Sequence, residues 1–285
     1  MRPGSPSQSF GEPRRSPKGV GGLLALVVAT VLAALVPLVS PYRFDEIDLS
    51  SIKAPPGGLH WMGTDEIGRD FGTRVFVGAR LSLAIGLAGA LAASFLGAGL
   101  GSVAGYFGGW VDAALMRLVD LQLSIPVLPV LIVISAVFRP TVAILVLLVS
   151  AFAWMEPARI ARGEVLRLKE LPFTEAAKAL GASSQRVIGR HLLPNAAAPL
   201  IVAAAILVGR VIVMESVLSF LGLGVQPPDP SLGNLLYGAQ ASLATEPWLA
   251  IFPGVFIFWI VLSVNLVGDG LSFLGRRKIP LPESL

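Results

Sequence analysis

The chain has 285 residues, of which 54% are hydrophobic and 14% are charged, and its mean hydropathy of +0.75 excludes a soluble domain. No cysteine is present, which excludes disulfides, thiolate metal sites and cysteine nucleophiles. The net charge of +4 is explained by lysine and arginine in cytoplasmic loops, without a nucleic-acid partner. Because the apolar residues occur in long runs, the sequence predicts an all-α polytopic membrane protein.

The amino-terminal end is predicted to be a disordered cytoplasmic tail followed by a first membrane span. Residues 1–19 are rich in Pro, Ser, Gly and Arg and cannot bury a core. Residues 20–39 are apolar. A cleaved signal peptide is the alternative, but the run is about twice the usual length and no Ala-x-Ala-like site follows. We therefore expect an uncleaved transmembrane helix.

Residues 40–80 form a predicted outer loop of mixed polarity. Opposite charges are clustered in a short part of this loop, which favours a local ion network that orders the backbone. A ligand site made by the same side chains is the alternative. The cluster consists of Asp65, Glu66, Arg69 and Asp70.

Five further spans are predicted within a core of residues 81–275, which brings the total to six transmembrane helices. Residues 276–285 form a second predicted cytoplasmic tail. Pro126 and Pro129 lie inside the third span and predict a kink or local unwinding there. The five spans are Leu81–Gly105, Met116–Phe138, Pro140–Ala158, Asn195–Phe220 and Pro247–Gly268.

Two patterns within the spans predict contacts between side chains or helices. Gly97, Gly101 and Gly105 recur every four residues, which predicts a stripe for close approach to another helix. Arg117 and Asp120 are one turn apart, which predicts a simple ion pair near the cytoplasmic end of the third span. After the fifth span, residues 231–243 predict a short interfacial helix that faces a partner.

The distribution of positive charge predicts that both termini lie in the cytoplasm. Of the 22 lysine and arginine residues, fifteen fall in predicted cytoplasmic segments, six fall in outer segments, and Arg210 is embedded in a span. Such an excess on one side is typical of the cytoplasmic face.

The polar segment 171–194 lies between the fourth and fifth spans. Pro172 suits the first turn of a helix, and Thr174–Leu180 are good helix formers. Gly181 then predicts a left-handed stop. A small-faced helix that ends in glycine allows close approach by another protein.

A second short helix is predicted to follow within the same segment. Ser183 or Ser184 can cap a helix of residues Gln185–His191, after which Pro194 restarts the chain as a membrane helix. Helix, turn and helix then project from the bilayer as one compact knob. An ordinary amphipathic loop is the alternative.

Two charged residues are predicted to lie within the fifth span. A charge at the centre of a membrane helix costs about 2.5–3.5 kcal/mol, so Arg210 and Glu215 are expected to face protein or a wet path. Five residues correspond to about 140° around a helix, so the two do not face each other. Each therefore needs a partner on another helix or another subunit.

Segment 171–194 resembles the EAA signature of ABC-importer permeases. The family pattern prefers Ile where this chain has His191, and the peptide branch of the family typically has His there. The matching residues are Glu175-Ala176-Ala177, Gly181 six positions after the glutamate, and Leu193-Pro194.

Three other segments are similar to the same branch, and the resemblance covers residues 61–270. The chain is identified as a member of the dipeptide, oligopeptide and nickel branch of binding-protein-dependent importers, as the second, C-type permease. The segments are Gly-Thr-Asp-Glu-Ile-Gly-Arg-Asp at residues 63–70, Tyr106–Asp112 and Met214–Gly233.

The resemblance implies the type I ABC-importer permease (MetI-like) fold, with six transmembrane helices and a cytoplasmic coupling helix, in the bacterial inner membrane. It implies a homologous second permease, two ATPase subunits and an extracytoplasmic solute-binding protein as partners. It also implies that this chain has no catalytic residue and no cofactor of its own. ATP and magnesium are bound by the ATPase subunits, since the chain has no Walker A phosphate loop.

The resemblance further implies two groups of functional residues. Glu215 could meet a peptide amino terminus, or it could pair with a basic side chain of the partner permease. Residues implied to couple to the ATPase are Thr174, Glu175, Ala176, Ala177, Leu180, Gly181 and Ala182. Candidates for the translocation path or a subunit contact are Arg210, Met214 and Glu215.

Several alternatives remain open for the substrate and the class of protein. Relatives transport nickel chelates, haem or other small solutes as well as peptides. A secondary transporter driven by protons through Arg210, Glu215 or Asp269 is a different class, because broken helices and buried charges fit it too. The elaborate cytoplasmic segment and the missing inverted repeat oppose it. A non-transporting scaffold would leave Arg210 and Glu215 unexplained.

Overall fold

The computed structural model describes residues 17–138 and 140–276, and most of these residues are helical. Within those ranges, β-type pairing is limited to one isolated bridge between Thr64 and Asp70. The predicted tails lie outside the described residues except for residues 17–19 and 276. The helices are α1 (Pro17–Val39), α2 (Phe71–Phe107), α3 (Gly109–Ser124), α4 (Val127–Phe138), α5 (Val142–Ala153), α6 (Met155–Leu168), α7 (Pro172–Ala179), α8 (Ser184–Phe220), α9 (Leu232–Ala239) and α10 (Trp248–Arg276).

The described residues contain four helices that are long and apolar enough to cross a membrane, namely α1, α2, α8 and α10. Two further pairs pass the same test only when each pair is taken together. The α3–α4 pair is bent by 82° and the α5–α6 pair by 46°. Length and composition therefore support four spans, or six if each bent pair is one broken span.

Prolines account for both bends. Helix α3 ends at Ser124 and α4 begins at Val127, which confirms the interruption predicted at Pro126. The bend at Trp154 was not predicted. Pro157 lies in the first turn of α6, and its ring would clash with the carbonyl of Ala153 if α5 continued straight.

Helix α2 begins at Phe71, ten residues before the predicted second span. Asp70 caps it, since its carboxylate accepts the backbone N–H of Thr73 at 2.7 Å. The cap lets the helix start in a polar segment, so Arg74 and Arg80 lie on α2 instead of in a loop. The predicted start at Leu81 is late because hydropathy identifies a membrane helix only where its residues are apolar.

The glycine stripe on α2 lies against the backbone of α6, as predicted. A Cβ atom on Gly97 would be 2.4 Å from the carbonyl oxygen of Trp154, and one on Gly101 would be 2.1 Å from that of Ala158. The stripe therefore brings the two backbones into direct contact.

Two apolar clusters pack against different lengths of α2, one from Ile85 onward and the other near its start. The first joins α2 to α5, α6 and α8, and the second joins α2 to α1, α9 and α10. Representative buried members are Ile85, Val149, Met155 and Val211 in the first cluster, and Ala33, Phe76, Leu232 and Ile260 in the second.

The helix expected within residues 231–243 is α9. Ser231 and Asn234 form a reciprocal capping box at its start. It packs against both α8 and α10.

Pro194 lies in the first turn of the α-helix Leu193–Phe220, as predicted. The expected short helix Gln185–His191 is not separate from it, because residues 184–220 form one continuous helical stretch. Residues Val187–Leu192 form a π-helical turn immediately before the proline. A widened turn of this kind accommodates a residue without a backbone N–H inside a helix.

Candidate functional site

The sharp turn at the end of α7 has the geometry that the sequence predicts. Pro172 occupies the first turn, and Gly181 has a φ of +80°, a conformation that favours glycine. The N–H of Gly181 bonds to the carbonyl of Lys178 at 2.9 Å, and the N–H of Ala182 bonds to that of Ala177 at 3.0 Å. These two bonds form a Schellman motif.

The seven predicted coupling residues divide into a buried set and an exposed set. Thr174 and Ala177 are buried, and the Thr174 hydroxyl donates to the carbonyl of Leu168 at 2.9 Å. Ala182 is half-buried. The exposed set, which we call the α7 tip, consists of Glu175, Ala176, Leu180 and Gly181.

The α7 tip carries one large apolar side chain, that of the predicted coupling residue Leu180. Leu180 is 89% exposed, and Phe173 in the first turn of α7 is also exposed. No Cβ contact lies within 4 Å of Gly181, so the backbone conformation, and not space, requires glycine there.

A small apolar cluster lies beside α7. It is formed by the end of α6 and the start of α8, with members Val165, Leu168, Val187, Leu192 and Ala196, and the residues Leu171 and Ala182 that flank α7 pack against it. In addition, Lys169 Nζ donates to the carbonyl of Gly105 at the end of α2 at 3.2 Å. The segment that carries α7 is thus packed against α6 and α8 and hydrogen-bonded to α2.

Ion pairs also connect the neighbouring helices at this end of the molecule. Arg162 on α6 donates to Asp112 on α3, with Nη2 and Oδ2 2.6 Å apart. The predicted pair of Arg117 and Asp120 is wrong, because Asp120 pairs with Arg159 on α6. Asp120 therefore pairs with a residue on a neighbouring helix and not with one a turn away on its own helix.

Arg210 has its partner on another helix, as expected. Its guanidinium pairs with the carboxylate of Glu156 on α6, and both side chains are about half exposed, at 53% and 52%. Glu156 was not predicted, although an acidic residue inside the apolar segment Pro140–Ala158 was a usable signal.

The Arg210–Glu156 pair lies in a groove of about 710 Å³ formed by α6, α8 and α10. Apolar side chains such as Ile160, Val202 and Ile206 line most of it. Met214 lies one turn beyond Arg210 and packs, half-buried, against the first apolar cluster. A second ion pair, Arg167 with Glu164, also lines the groove, which thus presents two cations and two anions on a largely apolar surface.

Glu215 faces protein and has a partner on another helix, as expected. It is 0% exposed, and its carboxylate accepts hydrogen bonds from Ser82 at 3.0 Å and Ser219 at 2.7 Å. The serine partners were missed, because a lone serine in an apolar span carries no distinctive signal.

The outer segment contains the predicted ion network in altered form. Asp65 accepts from Arg69 at 2.7 Å and lies 3.5 Å from Arg74. Asp70 instead contacts His60 at 2.8 Å, while Glu66 is exposed. The network borders a cavity of about 350 Å³.

Serine hydroxyls order the start of this outer segment. Ser50 donates from its hydroxyl to Asp48 at 2.6 Å and from its backbone N–H at 3.0 Å. Hydrogen bonding from Ser50 and Ser51 lowers the pKa of the Asp48 carboxyl below its ordinary value. Among the residues that the structure describes, no three His, Cys, Asp or Glu side chains converge as a metal site.

Comparison with protein families gives one match to most of the chain. Residues 97–278 match the family described as "Binding-protein-dependent transport system inner membrane component". The match includes α7, α8 and both members of the Arg210–Glu156 pair.

Named proteins are similar over almost the whole chain. The oligopeptide transport system permease protein OppC of Mycobacterium tuberculosis is 39% identical over 90% of this chain and 89% of its own length. The dipeptide transport system permease protein DppC of Bacillus subtilis is 36% identical over 91% and 81%. The glutathione transport system permease protein GsiD of Pectobacterium atrosepticum is 36% identical over 89% and 83%.

Proposed function

Because this chain belongs to the family of inner-membrane components of binding-protein-dependent transport systems, we propose that it is a permease subunit of an ATP-driven peptide importer. Similar proteins named for oligopeptide, dipeptide and glutathione transport support di- and oligopeptides as substrates. The observation that carries the proposal is the exposed α7 tip on a segment packed against α6 and α8 and hydrogen-bonded to α2.

Six membrane spans with both termini in the cytoplasm are the proposed topology. The four long helices supply four spans, and the bent pairs α3–α4 and α5–α6 supply the other two. The excess of lysine and arginine on one side supports the orientation. The α7 tip then faces the cytoplasm.

The α7 tip is the proposed docking surface for an ATPase subunit. Leu180 inserts as an apolar anchor, while Glu175, Ala176 and Gly181 surround it. The buried residues Thr174 and Ala177 hold the tip in shape. ATP and magnesium are bound by the ATPase subunits, and this chain has no catalytic role.

The proposed movement of the membrane helices depends on the packing of the α7 segment against α6 and α8. When ATP draws two ATPase subunits together, α7 moves with one of them, and the cluster beside it carries α6 and α8 along. These helices then rock against a homologous second permease, so that access to the path switches sides.

The groove around Arg210 and Glu156 is the proposed contribution of this chain to the translocation path. A free peptide carries an ammonium group at one end and a carboxylate at the other. Glu156 complements the first and Arg210 the second, and the apolar lining accepts side chains of many kinds. Met214, one turn beyond, contributes to the packing behind this surface.

The outer surface near Asp65 and Arg69 is proposed to meet the solute-binding protein. Its ordered ion network and adjacent cavity provide a preformed polar surface, which favours recognition without a large ordering cost.

Uptake of a labelled tripeptide by proteoliposomes that contain the purified complex tests the function. Uptake that requires ATP and the binding protein, and that persists with a protonophore, is the expected result. Uptake driven by a proton gradient without ATP would instead establish the secondary transporter. Uptake of nickel or haem but not peptide would establish a different substrate within the same family.

A further inference from the structure

A second groove shares no lining residue with the groove around the Arg210–Glu156 pair. It has a volume of about 430 Å³ and is walled by α1, α2, α8 and α10. Its lining is almost wholly apolar, with small side chains on several walls. We call it the Arg80 groove, and representative lining residues are Leu26, Ala33, Arg80, Ala84, Val208 and Val264.

Among the residues that the structure describes, Arg80 is the only charged one that lines this groove. It is exposed, and no other side chain or carbonyl in residues 17–138 and 140–276 pairs with it. Thr30, the other polar lining residue, donates its hydroxyl to the carbonyl of Leu26 at 2.8 Å. The groove therefore offers one unsatisfied cation on an apolar surface.

The position of Arg80 places it near the edge of the hydrocarbon core. The hydroxyls of Ser40 and Thr73 are 2.7 Å apart and join the ends of α1 and α2. Seven residues further along α2, Arg80 lies about 10 Å from this junction, and the predicted second span begins at the next residue, Leu81. An arginine at such a boundary keeps its stem along apolar surface and extends its guanidinium to the headgroups, where it pairs with an anion.

We propose that the Arg80 groove binds an anionic phospholipid, with its phosphate on Arg80 and one acyl chain along the groove. From Leu26 to Ala34 the α1 wall is about 12 Å long, which accommodates a segment of an acyl chain. A peptide fits poorly, because the lining offers no partners for its backbone N–H and C=O groups. The surrounding bilayer supplies the lipid in every conformation of the transporter. The proposal needs only a membrane-embedded chain and does not depend on the transported solute.

Native mass spectrometry of the purified complex, equilibrated with micelles containing dioleoyl-phosphatidylglycerol, tests the site. One phosphatidylglycerol per copy of this chain is expected to remain bound. Phosphatidylcholine at equal concentration is expected to be displaced from the groove by phosphatidylglycerol. Arg80→Leu and the groove-filling Ala84→Trp should each lose that lipid. Arg117→Leu and Ala88→Trp, which make the same changes at exposed positions outside the groove, should retain it.

Two further measurements separate the lipid from other anions. Glycerol phosphate without acyl chains should not occupy the site, and retention equal to that of phosphatidylglycerol would overturn the acyl-chain assignment. If Arg80→Leu keeps its lipid but releases a neighbouring membrane subunit, a carboxylate of that subunit is the partner of Arg80, and the lipid site is refuted.

Discussion

The hydroxyl of Ser82 lies 3.0 Å from the carboxylate of Glu215, although 133 residues separate the two along the chain. The same hydroxyl accepts the N–H of Leu232 at 3.2 Å. Ser219 binds the other carboxylate oxygen of Glu215 at 2.7 Å. One buried carboxyl group and its serine partners thus join α2, α8 and α9.

Glu215→Ala is expected to lower the free energy of unfolding by roughly 1–3 kcal/mol, because it leaves buried hydroxyl groups without a partner. Glu215→Gln retains an acceptor oxygen and the same shape, so its loss should be smaller. Thermal unfolding of the purified complex measures both changes. Glu66→Ala, an exposed carboxylate, is the control. Normal unfolding and assembly of Glu215→Gln together with lost uptake would assign Glu215 to the translocation path.

Gly181→Trp is expected to abolish substrate-stimulated ATP hydrolysis while leaving membrane insertion intact. The φ of +80° costs a non-glycine residue about 1–2 kcal/mol, and the indole adds bulk to the α7 tip. Stimulated ATPase activity of the reconstituted complex measures the effect. Gly163→Trp places the same side chain at another exposed glycine and should be tolerated. Normal stimulation in Gly181→Trp would refute docking through α7.

Leu180→Ala should weaken binding of the ATPase subunits without reducing the amount of this chain in the membrane. Burial of a leucine side chain contributes roughly 1.5–3 kcal/mol, which corresponds to about a ten- to hundredfold change in Kd. Titration of ATPase subunits onto the permease pair in detergent gives the Kd. Leu147→Ala, at an exposed leucine on α5, is the matched control. An unchanged Kd would remove Leu180 from the docking surface.

Substitution of Arg210 and substitution of Glu156 should change the selectivity for peptide termini in opposite ways. Arg210→Gln is expected to remove the preference for a free carboxylate, and Glu156→Gln the preference for a free ammonium group. Competition between a tripeptide and its amidated or acetylated forms measures each preference as a ratio of uptake rates. Arg43→Gln, which removes an exposed outer ion pair, should leave both ratios unchanged. Equal loss of uptake for all three peptides would indicate a structural role for the pair.

Gly101→Val is expected to prevent accumulation of folded protein, because the new Cβ atom would lie 2.1 Å from the carbonyl oxygen of Ala158. Overpacking typically costs about 1–3 kcal/mol and here involves backbone, which cannot move aside easily. Gly99→Val, two residues away, has open space at its Cβ position. Size-exclusion profiles of the two variants compare folding directly. A monodisperse Gly101→Val protein would show that α2 and α6 can separate.

Local chemistry in the sequence determined several features of the fold. Long apolar runs predicted α1, α8 and α10, because a bilayer demands about 20 apolar residues per helix. Pro126 predicted the α3–α4 break, and Gly181 predicted the end of α7. Each of these depends on a residue and its immediate neighbours.

Tertiary structure alone decided which charged and polar side chains meet. Asp120 pairs with Arg159 across 39 residues, Arg210 with Glu156 across 54, and Glu215 with Ser82 across 133. Helical periodicity gives the face on which a residue lies, but it does not say which helix lies opposite. The sequence therefore determined the helices, the turns and the family resemblance, whereas packing between distant helices decided that Glu215 is enclosed and that Arg210 and Glu156 share an open groove.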